Sequence, residues 1–174
     1  MTMKVLYILR HGKSSAAPAG LEDHLRPLDG EGRIEAVAVG AAFARRGWRP
    51  QVALVSSARR TRETFEGFLA GFGSGGPRLQ IEEQLYLAPA ERLHDELCAL
   101  DDATASALIV GHNPGLHDLA LALAGKKQSA ARDRLLRGFP PCAVAAVEFE
   151  GAHWYDLSPA TARLADVAFP NDPG

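Results

Sequence analysis

Cysteine is nearly absent: Cys98 and Cys142 are the only two in 174 residues, far apart and outside any C-x-x-C spacing. That argues against a disulfide framework or a thiolate zinc site. Such sparing use of cysteine fits a reducing compartment, so a cytoplasmic protein is expected. No apolar run approaches the roughly 20 residues that span a bilayer, and the N-terminal stretch lacks the pattern of a targeting segment. Formal net charge is only −2, which predicts no general electrostatic grip on nucleic acid or an anionic membrane. There is no internal repeat, no extended low-complexity tract and no Walker-type glycine loop.

What is present fits one domain spanning residues 1–174, long enough to bury a core without disulfides or a structural metal. Short, nearly continuous apolar runs, "KVLYIL" (4–9), "VALVS" (52–56) and "ALIVG" (107–111), read as buried parallel strands. Between the first two, Ile34, Val37, Ala38, Ala41 and Ala44 fall at helical spacing, with Asp29 able to cap the start and Gly47 the end. Residues 58–72 place Thr61, Thr64, Phe65, Phe68 and Leu69 in a helical register, and residues 90–100 form another helix candidate. After the third strand, Leu116, Leu119 and Leu123 share a face that closes at Gly125. Residues 142–150 and 162–168 are later strand candidates. Strands alternating with helices predict an α/β fold, a mostly parallel central sheet flanked by helices on both faces. "GFGSGGP" (71–77) reads as a loop within the domain.

All three leading strands end in polar chemistry. The first delivers Arg10, His11 and Gly12; the second Ser56 and Ser57, then "ARRTRET"; the third Gly111, His112, Asn113 and Pro114. In open α/β sheets, ligands collect outside the carboxyl ends of the strands, so these groups are expected to converge. Ser57 can cap a helix whose first turns carry Arg59, Arg60 and Arg62. Cations there oppose the helix dipole, which makes sense if an anion binds and one of the three arginines grips it. Asn113 as cap and Pro114 at the first helical position make the third segment a strand-to-helix turn. Neither histidine has partners at metal-ligand spacing, "LHD" (116–118) being the only neighbour, on a helix that should point His117 away. No metal and no cofactor is expected. Two histidines with arginines suit phosphoryl chemistry. Arginine matches phosphate oxygens bidentately, and neutral imidazole can attack phosphorus to form a covalent intermediate.

These motifs resemble the histidine phosphatase superfamily and, within it, the phosphohistidine phosphatase (SixA-type) branch, whose fold is phosphoglycerate mutase-like. "LRHGKS" is similar to the signature in which the histidine is the nucleophile. "SSARRTRET" resembles an S-x-x-x-R-A-x-x-T segment, aligning Arg60 with the phosphate-binding arginine, with Thr61 in place of the usual alanine. "LIVGHNPGL" resembles the second histidine motif. "DHLRPLDGEG" (23–32), "EEQLY" and "FPPCAVAAVEFEG" with Trp154 resemble further parts of the branch, so the resemblance spans nearly the whole chain. Lys13 after Arg-His-Gly, where mutases usually carry Glu, and the short length disfavour a mutase.

The resemblance implies a metal-independent phosphatase with His11, His112, Arg10 and Arg60 as catalytic and phosphate-binding residues. Its general acid, where there is one, matches Glu83 by position, with Glu82 and Asp23 behind it; the alternative is that the glutamates only solvate a strand end. Ser14 and Lys13 could contact phosphate or line the mouth, and Arg26 could guide an extended substrate. The expected partner is a phosphorylated protein carrying phosphohistidine, or a small phosphorylated molecule; a silent phosphate-binding module is the other class. The basic stretch Lys126, Lys127, Arg132, Arg134 and Arg137 reads as a solvated helical face or a docking surface.

Overall fold

A computed structural model describes residues 2–173. Six strands form one sheet in the order β3-β2-β4-β1-β5-β6, with β1 Met3–Arg10, β2 Val52–Ser56, β3 Arg78–Glu82, β4 Ser106–Gly111, β5 Val144–Glu150 and β6 Ala162–Ala168. β1, β2, β3 and β4 are mutually parallel, whereas β5 runs antiparallel to both β1 and β6. Helices cover both faces as the alternation of apolar runs and helical patterns implies. α1 (Gly30–Arg46) and α2 (Arg59–Phe72) close one core around Tyr7, Leu9, Val55 and Val110. α3 (Ala90–Cys98), α4 (Gly115–Ala124) and α5 (Ala130–Arg137) close the other around Leu6, Ile8, Leu54 and Ile109. Successive residues of β1 thus serve opposite cores, the period of two expected of a strand buried on both sides. Among the described residues, no helix is long and apolar enough to cross a membrane.

Helix termini follow their capping chemistry in part. Asp29 accepts from the Gly32 amide at 2.8 Å, and Gly47 ends α1 at φ 70°, as predicted. Ser57 does not cap α2; Ala58 holds that position with no side-chain bond, and the Ser57 hydroxyl instead pairs with His24 at 2.9 Å. Asn113 likewise does not cap α4, whose first residue is Gly115 after Pro114; its side-chain amide donates to the Phe139 carbonyl.

The buried stripe of α1 also differs from the expected one. Ile34 is 73% and Val37 41% exposed, while Gly32, Ala36, Val39, Gly40 and Phe43 face inward. The reason is helix proximity. A Cβ at Gly40 would lie 1.9 Å from the Phe68 carbonyl oxygen, and one at Gly71 1.9 Å from that of Val37. α1 and α2 therefore meet backbone to backbone through glycines, a contact that hydrophobic periodicity does not register. β3 was not foreseen; it is an edge strand with Leu79 and Ile81 nearly half exposed, so it lacks a buried apolar run.

Candidate active site

Strand register is what brings the three motifs together. Arg10 at the end of β1 pairs with Gly111 at the end of β4, and Val55 of β2 pairs with Val110. Ser56, Arg10 and Gly111 thus end at one level, and His11 and His112 emerge one residue later on adjacent strands. Their rings lie 5.2 Å apart, centroid to centroid. One cleft is lined by Arg10, His11, Lys13, Ser14, Asp23, Arg26, Arg60, Leu87, His112, Asn113 and Pro141.

Each imidazole has a defined tautomer, set by its partners. His11 Nδ1 sits 2.7 Å from the Gly12 carbonyl oxygen, which can only accept, so Nδ1 carries the proton and Nε2 the lone pair. His112 Nδ1 faces Arg60 Nη2 at 3.3 Å, and its Nε2 faces the Ser56 hydroxyl at 2.8 Å. A guanidinium can only donate, so Nδ1 accepts and Nε2 donates to Ser56. Burial, then the nearby guanidiniums of Arg60, Arg10 and Arg26, lowers the His11 pKa to about 4. Burial, then His11 and Arg60, lowers that of His112 to about 3. Both rings are therefore neutral at physiological pH.

Arg60 is 2% exposed. Its Nη1 donates to the Asp23 carbonyl at 2.8 Å and its Nη2 to the Asp23 carboxylate at 3.1 Å. Arg10 Nη1 donates to the Phe139 carbonyl at 3.0 Å, the same oxygen that holds Asn113. Among the described residues, the buried side-chain polar atoms without a partner are Nε of Arg10, Arg26 and Arg60 and Oδ1 of Asn113. All four belong to residues of this cleft. Three guanidiniums, each with donor capacity left unmet, line this one cleft, a composition that suits an anion with several acceptor oxygens.

The surrounding backbone is over-determined. The Gly12 amide donates to Thr64 Oγ1, which donates to the Arg60 carbonyl, tying the His11 loop to α2. A Cβ at Gly12 would lie 2.9 Å from the Gly32 carbonyl oxygen, so this glycine admits the start of α1 rather than clearing a path to phosphorus. Thr61, the departure from alanine in the arginine motif, is fully buried, but its single hydroxyl proton is shared between the carbonyls of Ser56 and Ala58, each 2.7 Å away. Cys142, at φ 58°, gives its amide to the carbonyls of Arg10 and His11, and burial pushes its thiol up to about 12. That thiol is a packing group.

Of the residues singled out in the sequence, Arg10, His11, Ser14, Arg60 and His112 come together in the cleft, as do Lys13 and Arg26. Lys13 is paired with Glu31 at 2.5 Å. Arg59 pairs with Glu63 and Arg62 is exposed, so only Arg60 of the three faces the site. Glu83 does not: it is exposed, at the start of the 3-10 turn Glu83–Leu85, and is not among the cleft residues. The turn itself matters more, because it places Tyr86, whose hydroxyl donates to Asp23 at 2.5 Å and whose ring meets His112 edge-on. Tyr86 stands in the quoted "EEQLY", but its role was not read because its partners Asp23 and His112 come from distant segments. Asp23 emerges as the carboxylate of the cleft, and the Tyr86 hydroxyl, with Arg60 and Arg26, holds it below the usual carboxylate range. His117 bonds the Leu135 carbonyl, away from the cleft. Among the described residues, no three of His, Cys, Asp and Glu cluster as metal ligands would. In the basic stretch, Arg134 bonds Asp172 and the Val167 carbonyl, and Arg132 the Gly125 carbonyl, so two of its cations tie α5 to its neighbours.

Comparison with known proteins agrees with this geometry. Residues 6–86 match the model of the histidine phosphatase superfamily, branch 1. The uncharacterized protein Rv1276c of Mycobacterium tuberculosis is 33% identical over 164 residues, covering 93% of this chain and 99% of that protein. The structure of a proposed phosphohistidine phosphatase SixA from Nakamurella multipartitia superposes with a TM-score of 0.84 at 26% identity, covering 99% of both chains. A second, from Agrobacterium tumefaciens, gives 0.79 at 27%, covering 96% of this chain and 98% of that one.

Proposed function

The chain is a phosphatase of the histidine phosphatase superfamily, SixA type, and on that premise we propose that it hydrolyses protein phosphohistidine in the cytoplasm, through a phosphorylated His11 and without a metal. The observation that carries this reading is His11 itself: neutral, with Nδ1–H held by Gly12 and Nε2 left with its lone pair beside three guanidiniums. Nε2 attacks phosphorus while Arg10, Arg26 and Arg60 take the equatorial oxygens through their unpaired N–H groups. The Gly12 carbonyl stabilises the positive charge that the His11 ring acquires as the P–N bond forms. His112, fixed by Ser56, supplies a polar wall against the transferring group. Water then attacks the phosphorus carried by His11, a P–O bond replaces the P–N bond, whose electron pair returns to Nε2, and inorganic phosphate carries away both water protons.

The leaving group decides the substrate. An alkoxide leaves badly unless an acid protonates it. The carboxylate within the cleft, Asp23, is held in its ionised form by Tyr86 and the arginines, and Glu83 stands outside. An imidazole departs as a neutral ring without that help, which favours phosphohistidine over alkyl esters.

Rapid quench with a labelled phosphohistidine peptide, run in excess chelator, tests the proposal. An acid-labile, alkali-stable adduct should appear on the peptide containing His11. His11→Ala should abolish it and reduce turnover by about 10⁴-fold or more. Label on His112 would reverse the assignment, and activity lost to chelator but restored by a divalent ion would overturn the metal-independent route. Efficient hydrolysis of an unactivated alkyl phosphate would move the substrate to the small esters.

A further inference from the structure

The proposed reaction exchanges one imidazole for another at phosphorus, and the structure shows only how the enzyme's own ring is held. A phosphorylated imidazole is most labile when its distal nitrogen is protonated, since the ring then leaves as neutral imidazole with no proton to find. That distal N–H is a charged donor and needs an acceptor in the cleft. For His11 the matching N–H is met by the Gly12 carbonyl. On the substrate side the cleft offers Asp23.

The two oxygens of Asp23 are unequally occupied. Oδ2 accepts from both Arg60 Nη2 and the Tyr86 hydroxyl. Oδ1 has only Arg26 Nη2 near it, at 3.4 Å, and the side chain is 47% exposed while lining the cleft. Oδ2 thus anchors the carboxylate and Oδ1 presents an open lone pair at the mouth. Resting on the phosphohistidine reading above, we infer that Asp23 Oδ1 accepts the distal N–H of the substrate's phosphorylated imidazole, making Asp23 a specificity-determining residue rather than a general acid. The exchange balances with no proton donor. The P–N bond to the substrate ring breaks and its electron pair stays on that nitrogen. The distal nitrogen keeps its proton, and the new P–N bond is made from the His11 Nε2 lone pair. Esters present no such N–H, and their departing oxygen would meet a fixed negative charge.

Both substrate classes distinguish this inference from its premise. The kcat/KM values for a phosphohistidine peptide and for an activated aryl phosphate are measured in wild type, Asp23→Asn and Tyr86→Phe, with a pH profile of kcat for the peptide. Arg60, Arg26 and Tyr86 face the carboxylate, and His11, His112, Arg10 and Lys13 of the same cleft and His24 against Tyr86 are the other titratable or charged groups around it. Asp23→Asn should lower the ratio of peptide to aryl phosphate kcat/KM by about tenfold to a hundredfold, the loss of a charge-assisted hydrogen bond. It should also move the alkaline limb of kcat about one pH unit toward acid. Tyr86→Phe removes one of the two anchors of Oδ2 but keeps the carboxylate and its Arg60 partner, so it should lower the ratio by less than Asp23→Asn does and move the limb less. Equal losses on both substrates with an unmoved limb, or the same ratio change in Tyr86→Phe, would overturn the inference and leave Asp23 as a support for Arg60. Wild type that turns over aryl phosphate but not the peptide would instead overturn the phosphohistidine reading itself.

Discussion

At the N-terminal end of the sheet, Lys4 is 3% exposed, yet its ammonium donates to the Asp102 and Thr104 carbonyls at 2.7 and 2.9 Å and lies over the Trp154 ring. At the C-terminal end, Arg60 is 2% exposed, but its Nε has no partner, and neither do those of Arg10 and Arg26. Around Lys4 every polar group named is satisfied: Trp154 Nε1 donates to Thr104, and Asp102 binds His153 and the Trp154 amide. Each end of the sheet buries a cation, Lys4 from β1 at one and Arg60 from α2 at the other. One is a closed network that holds strands together; the other is an open one that stores unmet hydrogen-bonding capacity. Such capacity costs stability, so its concentration in one cleft points to a ligand, whereas burial of charge alone does not.

The largest expected effect separates the two ends by activity. Arg60→Met should lower kcat/KM by roughly 10²–10³-fold, the scale of losing a preorganised donor to a transferring group, and should also cost about 1–3 kcal/mol in urea unfolding, because the Asp23 carbonyl and His112 Nδ1 lose their donor. A kcat/KM close to that of wild type would erase the contrast.

Next is pH. His11 and His112 are depressed in the folded chain, to about 4 and about 3, against 6.5 for an ordinary histidine. Below 6.5 the unfolded state therefore binds protons that the folded state refuses. Stability is full above 6.5 and falls as pH drops toward 4, by on the order of 3 kcal/mol per ring. Urea midpoints at pH 7.5 and 5 should show this slope in wild type and a shallower one in His112→Asn. An identical slope in both would place the titration elsewhere.

Lys4→Met should cost about 1–3 kcal/mol, because two buried carbonyls lose their donor, with kcat/KM unchanged. Loss of activity without loss of stability would mean that the closed end is not merely structural. The smallest effect lies at the mouth, where Leu87 is 55% exposed at φ 50°, a left-handed conformation that costs a branched side chain about 1 kcal/mol or more. Leu87→Asn should recover about that amount in thermal or urea unfolding. If the same change also raises KM for the peptide but not for aryl phosphate, the strained leucine belongs to substrate docking, an extension of the cleft's open character.

Much of this was legible in the chain because it is local. A run such as "KVLYIL" needs burial on both faces, the capping of α1 follows from Asp29 and Gly47, and the family motifs sit in single segments. Arg10, His11, Arg60 and His112 could be named because each stands within a residue or a turn of a strand end. What could not be read is relational. The stripe of α1 depends on glycines of a second helix, since Gly40 and Gly71 matter only once α1 and α2 touch backbones. β3 has no apolar run because an edge strand buries so little. Glu83 was placed by its distance along the chain, but the 3-10 turn it starts directs Tyr86, not Glu83, toward the site. Asp23, twelve residues beyond His11 and named from the sequence only behind Glu83, is oriented only where Arg60, Arg26 and Tyr86 close around it. Sequence by itself therefore determined the buried strands, the caps of α1 and the chemistry at the strand ends, which depend on neighbouring residues. Tertiary structure alone decided tautomers, depressed pKa values and the unpaired donors, because those arise from burial and from partners that distant segments supply.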